Sequence, residues 1–140
     1  MENPLVLDLT ITPQDASGRI SFSNLKAGEG AKKNEVAIEI KSNTGRQYQV
    51  IQNVLSELLD KEGRIIPAQS FSMHMEGGDD VKGTLRAKDN QQVKKGDTIL
   101  FISDPRGASD KFKIIYELAI PKDLIAGDYS TRITYSLVEL

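Results

Sequence analysis

Alternation with a period of two dominates this chain, and no stretch sustains the 3.6-residue period of a helix. The stretch "PLVLDLTIT" sets Leu5, Leu7, Leu9 and Ile11 on one face and Val6, Asp8, Thr10 and Thr12 on the other. Ile20 and Phe22 follow in "GRISFSNL". In "EVAIEIKS", Val36, Ile38 and Ile40 share a face. The turn signal "SNTGRQ" separates that segment from "YQVIQNV", so 35–54 reads as a hairpin. "SFSMHM" and "TILFIS" add two more strands. Near the end, "KFKIIYELAIP" aligns Phe112, Ile114, Tyr116, Leu118 and Ile120. Pro121 stops that strand because it has no N–H to donate. The last segment, "YSTRITYSLVEL", aligns Tyr129, Thr131, Ile133, Tyr135 and Leu137. About seven or eight short strands with turns between them predict an all-β, immunoglobulin-like antiparallel sandwich.

Between these strands, "LSELLDKEGRII" has helical leucine spacing, but Gly63 and Pro67 limit it to a short turn of helix or a loop. "EGGDDVKG" reads as a loop and "DNQQVKKGD" as a turn. The 140 residues suit a single domain, 1–140, large enough to bury a core without metals or disulfides. No segment approaches the roughly 20 apolar residues of a membrane helix.

The residues that carry chemistry are sparse. With no cysteine, the chain has no disulfide, thiolate nucleophile or Cys–zinc site. His74 is the one histidine, and no triad spacing surrounds it. Glu76, Asp79 and Asp80 offer carboxylates for Ca²⁺, but without the alternating ligand pattern of a calcium loop they read as a solvated acidic loop. "KAGEGAKKN" matches neither phosphate-binding glycine motif. Net charge is −2 with both signs interspersed, which gives no basic stripe for nucleic acid. Aromatic content is 6%, and Phe112, Tyr116, Tyr129 and Tyr135 all fall on predicted core faces. The expectation is a non-enzymatic protein with no metal and no cofactor. "AGDY" is a structural corner: Gly127 takes the turn, and Tyr129 packs inside with its hydroxyl bonded to nearby backbone.

Three pieces follow in order along the chain: "LVLDLTIT" with "ISFSNLKAGEG", then "EVAIEIKSNTGRQYQV", then "FKIIYELAIPKDLIAGDYSTRITYSLVEL". In this order the chain resembles subunits of the spore coat protein U type, the pilin-like sandwiches of archaic chaperone–usher fimbriae. Members usually carry a cysteine near the end of the first strand and another before the glycine turn. Here the matching stretches read "ITPQ" and "IKSN". The resemblance implies a sandwich one strand short, completed first by a periplasmic chaperone and then by the N-terminal strand of another copy or a related subunit. Repeated head to tail, such a contact makes a fibre.

Two functions follow as expectations. In the first, the chain is a structural subunit of a bacterial surface fibre or coat, and Leu5, Leu7, Leu9 and Ile11 form its strand-addition interface. In the second, it is a self-contained exported domain that binds a protein or glycan partner, and those four residues belong to an edge strand of its own sheet. "TPQDASG" reads as a flexible hinge or a turn, and both are compatible with either function. No signal peptide is visible, since residues 1–4 lack a basic start and an apolar run, so the residues alone leave open a cytosolic chain or a mature secreted one. The resemblance implies an extracytoplasmic location, the periplasm or cell surface, with a leader removed.

Overall fold

The computed structural model describes residues 4–12 and 18–140, which leaves most of "TPQDASG" outside the described residues. Among the described residues ten strands form: β1 (Leu7–Thr12), β2 (Arg19–Leu25), β3 (Lys32–Ser42), β4 (Tyr48–Val54), β5 (Phe71–Glu76), β6 (Thr84–Leu85), β7 (Gln91–Gln92), β8 (Gly96–Ile102), β9 (Asp110–Leu118) and β10 (Gly127–Glu139). They build two antiparallel five-stranded sheets, ordered β1-β3-β9-β5-β7 and β2-β10-β4-β8-β6. The seven or eight strands expected become ten because β6 and β7 have two residues each, too few to show a period.

Alternation places the core. Val36, Ile38 and Ile40 of β3 and Phe112, Ile114 and Tyr116 of β9 are buried from one sheet. Tyr48, Val50 and Val54 of β4 and Tyr129 and Ile133 of β10 meet them from the other. Aromatic rings lock the layers, with Phe101 and Phe112 stacked at 5.0 Å and Phe22 edge-on to Phe71 at 6.0 Å. Burial of this kind contributes on the order of 1.5–3 kcal/mol per large apolar side chain.

The hairpin expected over 35–54 does not form. β3 lies in the first sheet beside β1 and β9, and β4 lies in the second beside β10 and β8. Two consecutive alternating strands look identical whether they pair side by side or face each other across a core. The short connection between them climbs from one sheet to the other instead of turning within one. The segment "LSELLDKEGRII" is a loop held by bridges of Leu59 to Ile65 and Ser130, with Leu58 and Ile66 buried beneath it. Among the described residues the helical element is the 3₁₀ turn Ala68–Ser70.

Candidate functional site

β1 pairs antiparallel with β3 along its whole length, from Leu7 opposite Ser42 to Thr12 opposite Ala37. Alternation turns Leu7, Leu9 and Ile11 toward the core, where they are partly buried, while Asp8, Thr10 and Thr12 face solvent. Leu5 precedes the strand and is 77% exposed. Of the four apolar residues singled out in the sequence, three therefore line the protein's own core and the fourth stands in solvent.

Asn43 fixes the entry to this strand. Its Oδ1 accepts from the Val6 amide at 2.5 Å, and its Nδ2 donates to the Pro4 carbonyl at 3.0 Å. Its own amide donates to the Val6 carbonyl at 3.0 Å. In the sequence Asn43 was only a turn residue, because its partners lie 37 and 39 positions away. Asn43→Ala should cost about 1–2 kcal/mol. Amide hydrogen exchange at Val6 and Leu7 should accelerate more than at the centre of β9, and equal effects at both places would contradict this role.

β10 flanks β1 across the seam between the sheets. Its second half, 133–139, pairs with β4, and the Arg132 carbonyl and Leu140 amide extend that ladder at its two ends. Antiparallel geometry sends the backbone groups of alternate residues to opposite sides. Even-numbered residues here face β4, so Tyr135, Leu137 and Glu139 point theirs toward the seam. Ile133 on that side donates to the Gly18 carbonyl at 2.7 Å. Beyond Ile133, no strand pairs with that edge among the described residues. Tyr135 and Leu137 are partly buried beside it, opposite the apolar row of β1.

A buried polar cluster sits behind the seam. The Tyr135 and Tyr116 hydroxyls are 2.6 Å apart, and the Tyr116 hydroxyl donates to Gln52 Oε1. Gln52 Nε2 donates to Met73 Sδ at 3.6 Å. Gln52 and Tyr116 are completely buried, so each polar atom depends on this cluster for a partner. Burial pushes the Tyr116 hydroxyl well above the ordinary phenol range, and Tyr135 beside it adds to the shift. Burial likewise raises Tyr135, against an opposing pull from its hydrogen bond with Tyr116. The cluster joins β4, β5, β9 and β10, and so fixes both sheets at the level of the seam.

The corner residues lie at the start of β10. Gly127 has φ +154°, in a region L-residues avoid, and a bulge follows it. The Tyr129 ring is buried and its hydroxyl donates to the Ile125 carbonyl at 2.7 Å. His74 stands on the outer face of its sheet, half-buried, with Nε2 3.1 Å from Glu76 Oε2. Asp79 and Asp80 are exposed in the following loop, and no group of three metal-ligating side chains converges among the described residues. Among those residues no helix is long and apolar enough to cross a membrane.

The geometry defines a class, an antiparallel β-sandwich whose first strand occupies a sheet edge beside its last. Comparison with family models, curated proteins and solved structures finds no match to this chain.

Proposed function

We propose that this chain is a non-enzymatic, immunoglobulin-like structural subunit of a surface fibre or coat, closed as a monomer by its own β1 and linked to a neighbour by exchange of that strand. One observation carries the reading. β1 is bound along a single edge, beside a length of β10 that has no partner strand on its seam side among the described residues. Strand addition supplies backbone pairing from such an edge and side-chain specificity from alternate pockets. Leu7, Leu9 and Ile11 would enter the pockets of a second copy as they enter their own. The buried Tyr129 corner and the adjacency of β4 and β10 agree with the immunoglobulin-like assignment. Assembly of this kind places the protein outside the cytoplasm, with a periplasmic chaperone and further subunits as partners.

The pairing of β1 with β3 in its own molecule favours the second reading, a self-contained exported domain with a protein or glycan partner. Removal of residues 1–12 tests β1 as an integral strand, and under either reading the truncated chain should lose several kcal/mol of stability and regain it when a peptide of residues 4–12 is added. The oligomeric state of the full-length chain separates the two. Under strand exchange, that chain, concentrated and warmed, should form oligomers that dissociate on addition of the same peptide. A full-length chain that remains monomeric at every concentration would leave the self-contained domain as the function.

A further inference from the structure

A second surface, on the outer face of the sheet that holds β2 and β10, carries a different chemistry. Ile20 and Phe22 point inward, so Arg19 and Ser21 point outward. Tyr129, Thr131 and Ile133 point inward, so Ser130 and Arg132 point outward on the adjacent strand. Arg19 lies directly opposite Arg132 in the register. The bond from the Ile133 amide to the Gly18 carbonyl makes this a non-hydrogen-bonded pair, in which facing side chains come closest. Like charges so placed repel, and among the described residues neither arginine has a carboxylate within ion-pair distance. Arg19 Nη1 instead donates to Ser130 Oγ at 3.2 Å.

These residues line a groove of about 650 Å³ walled by the 55–61 loop. The wall is firmly seated, since Leu59 and Ser130 exchange two backbone hydrogen bonds of 2.9 Å. Two acids, Asp60 and Asp128, also line the groove, and each is hydrogen-bonded within the protein. Asp60 accepts from the Glu62 and Arg64 amides and pairs with the Arg64 guanidinium at 3.1 Å. Those hydrogen bonds hold its carboxyl below the ordinary range despite the opposing effect of burial. Asp128 accepts from the Asn24 amide at 2.7 Å. Lys61 adds a further cation to the groove. Three cations, Arg19, Lys61 and Arg132, thus stand against two acids in the lining, on a chain of net charge −2.

We propose that this groove binds an oxyanion group, a carboxylate, sulfate or phosphate, clamped between the Arg19 and Arg132 guanidinium groups with the Ser21 and Ser130 hydroxyls beside it. Guanidinium forks match such groups with paired, charge-assisted hydrogen bonds. A bound anion also removes the repulsion that the cross-strand register imposes. The site does not depend on exchange of β1.

The test is an NMR titration of the full chain with sulfate, phosphate, acetate and glucuronate, each against sodium chloride of equal ionic strength. Saturable shifts centred on Arg19, Ser130 and Arg132 are expected with at least one oxyanion. Arg132→Gln and Arg19→Gln should each weaken that binding about tenfold or more, with spectra elsewhere unchanged. Glucuronate outperforming acetate would identify a carboxylated sugar as the source, and phosphate or sulfate outperforming both would identify a tetrahedral group. Shifts no larger than with chloride, or saturable shifts that survive both substitutions, would overturn the site.

Discussion

Gly107→Ala is expected to cost about 3–5 kcal/mol, a large part of the 5–15 kcal/mol typical of a domain. Gly107 has φ +65° in the turn between β8 and β9. A side chain in that left-handed region costs roughly 1–2 kcal/mol by itself. A Cβ there would also overlap the Arg46 carbonyl group, which is backbone and cannot rotate away. Retreat is blocked because the surrounding turn is pinned. The Gly107 amide donates to the Asp104 carbonyl at 3.0 Å, the Ala108 amide to Asp104 Oδ1 at 2.8 Å, and the Tyr48 hydroxyl to the Ala108 carbonyl at 2.7 Å. Gly45 provides the control, since its φ of +72° is similar but a Cβ would meet nothing within 4 Å. Gly45→Ala should therefore lose only the conformational part, about 1–2 kcal/mol. Urea unfolding of both variants measures the difference, and equal losses would show that the contact with Arg46 carries no energy.

The second large effect is alkaline unfolding. All four tyrosines, Tyr48, Tyr116, Tyr129 and Tyr135, have hydroxyls raised above the ordinary phenol range, with burial the leading cause in each. For Tyr48, the negative charges of Asp110 and Asp104 add to the effect. The unfolded chain ionises its phenols near pH 10, while the folded chain holds them neutral. Stability from this source is whole below pH about 10 and falls as pH rises toward the folded values, because the unfolded state releases protons first. Tyrosinate absorbance should therefore stay low through pH 10 and then rise together with loss of the fold. Tyr135→Phe removes one titrating group, so the fall in stability with pH should become shallower by about one proton. Independent titration of the tyrosines near pH 10 in a fully folded chain would refute the claim.

The sites themselves were legible to different degrees. The inward face of Leu7, Leu9 and Ile11 and the corner at Gly127 and Tyr129 could be read because each is a local pattern, while Leu5, read on the same face, stands in solvent. The Asn43 clamp, the Gln52–Tyr116–Tyr135 cluster and the facing arginines could not. Tyr116 and Gln52 are 64 positions apart, and Arg19 faces Arg132 only because β2 pairs with β10 in one particular register. A shift of that register by one residue would turn the arginines toward opposite faces of their strands.

Period-two alternation by itself determined that this chain is all-β, which faces of its longer strands turn inward and roughly where most strands begin and end. Side-chain burial has a two-residue period in any sheet, so the pattern identifies a strand and its inner face without naming its neighbour. Neighbours depend on long-range pairing, and only the tertiary structure decided them. It separated β3 and β4 into different sheets, set β1 at the edge beside β3, and brought β2 against β10.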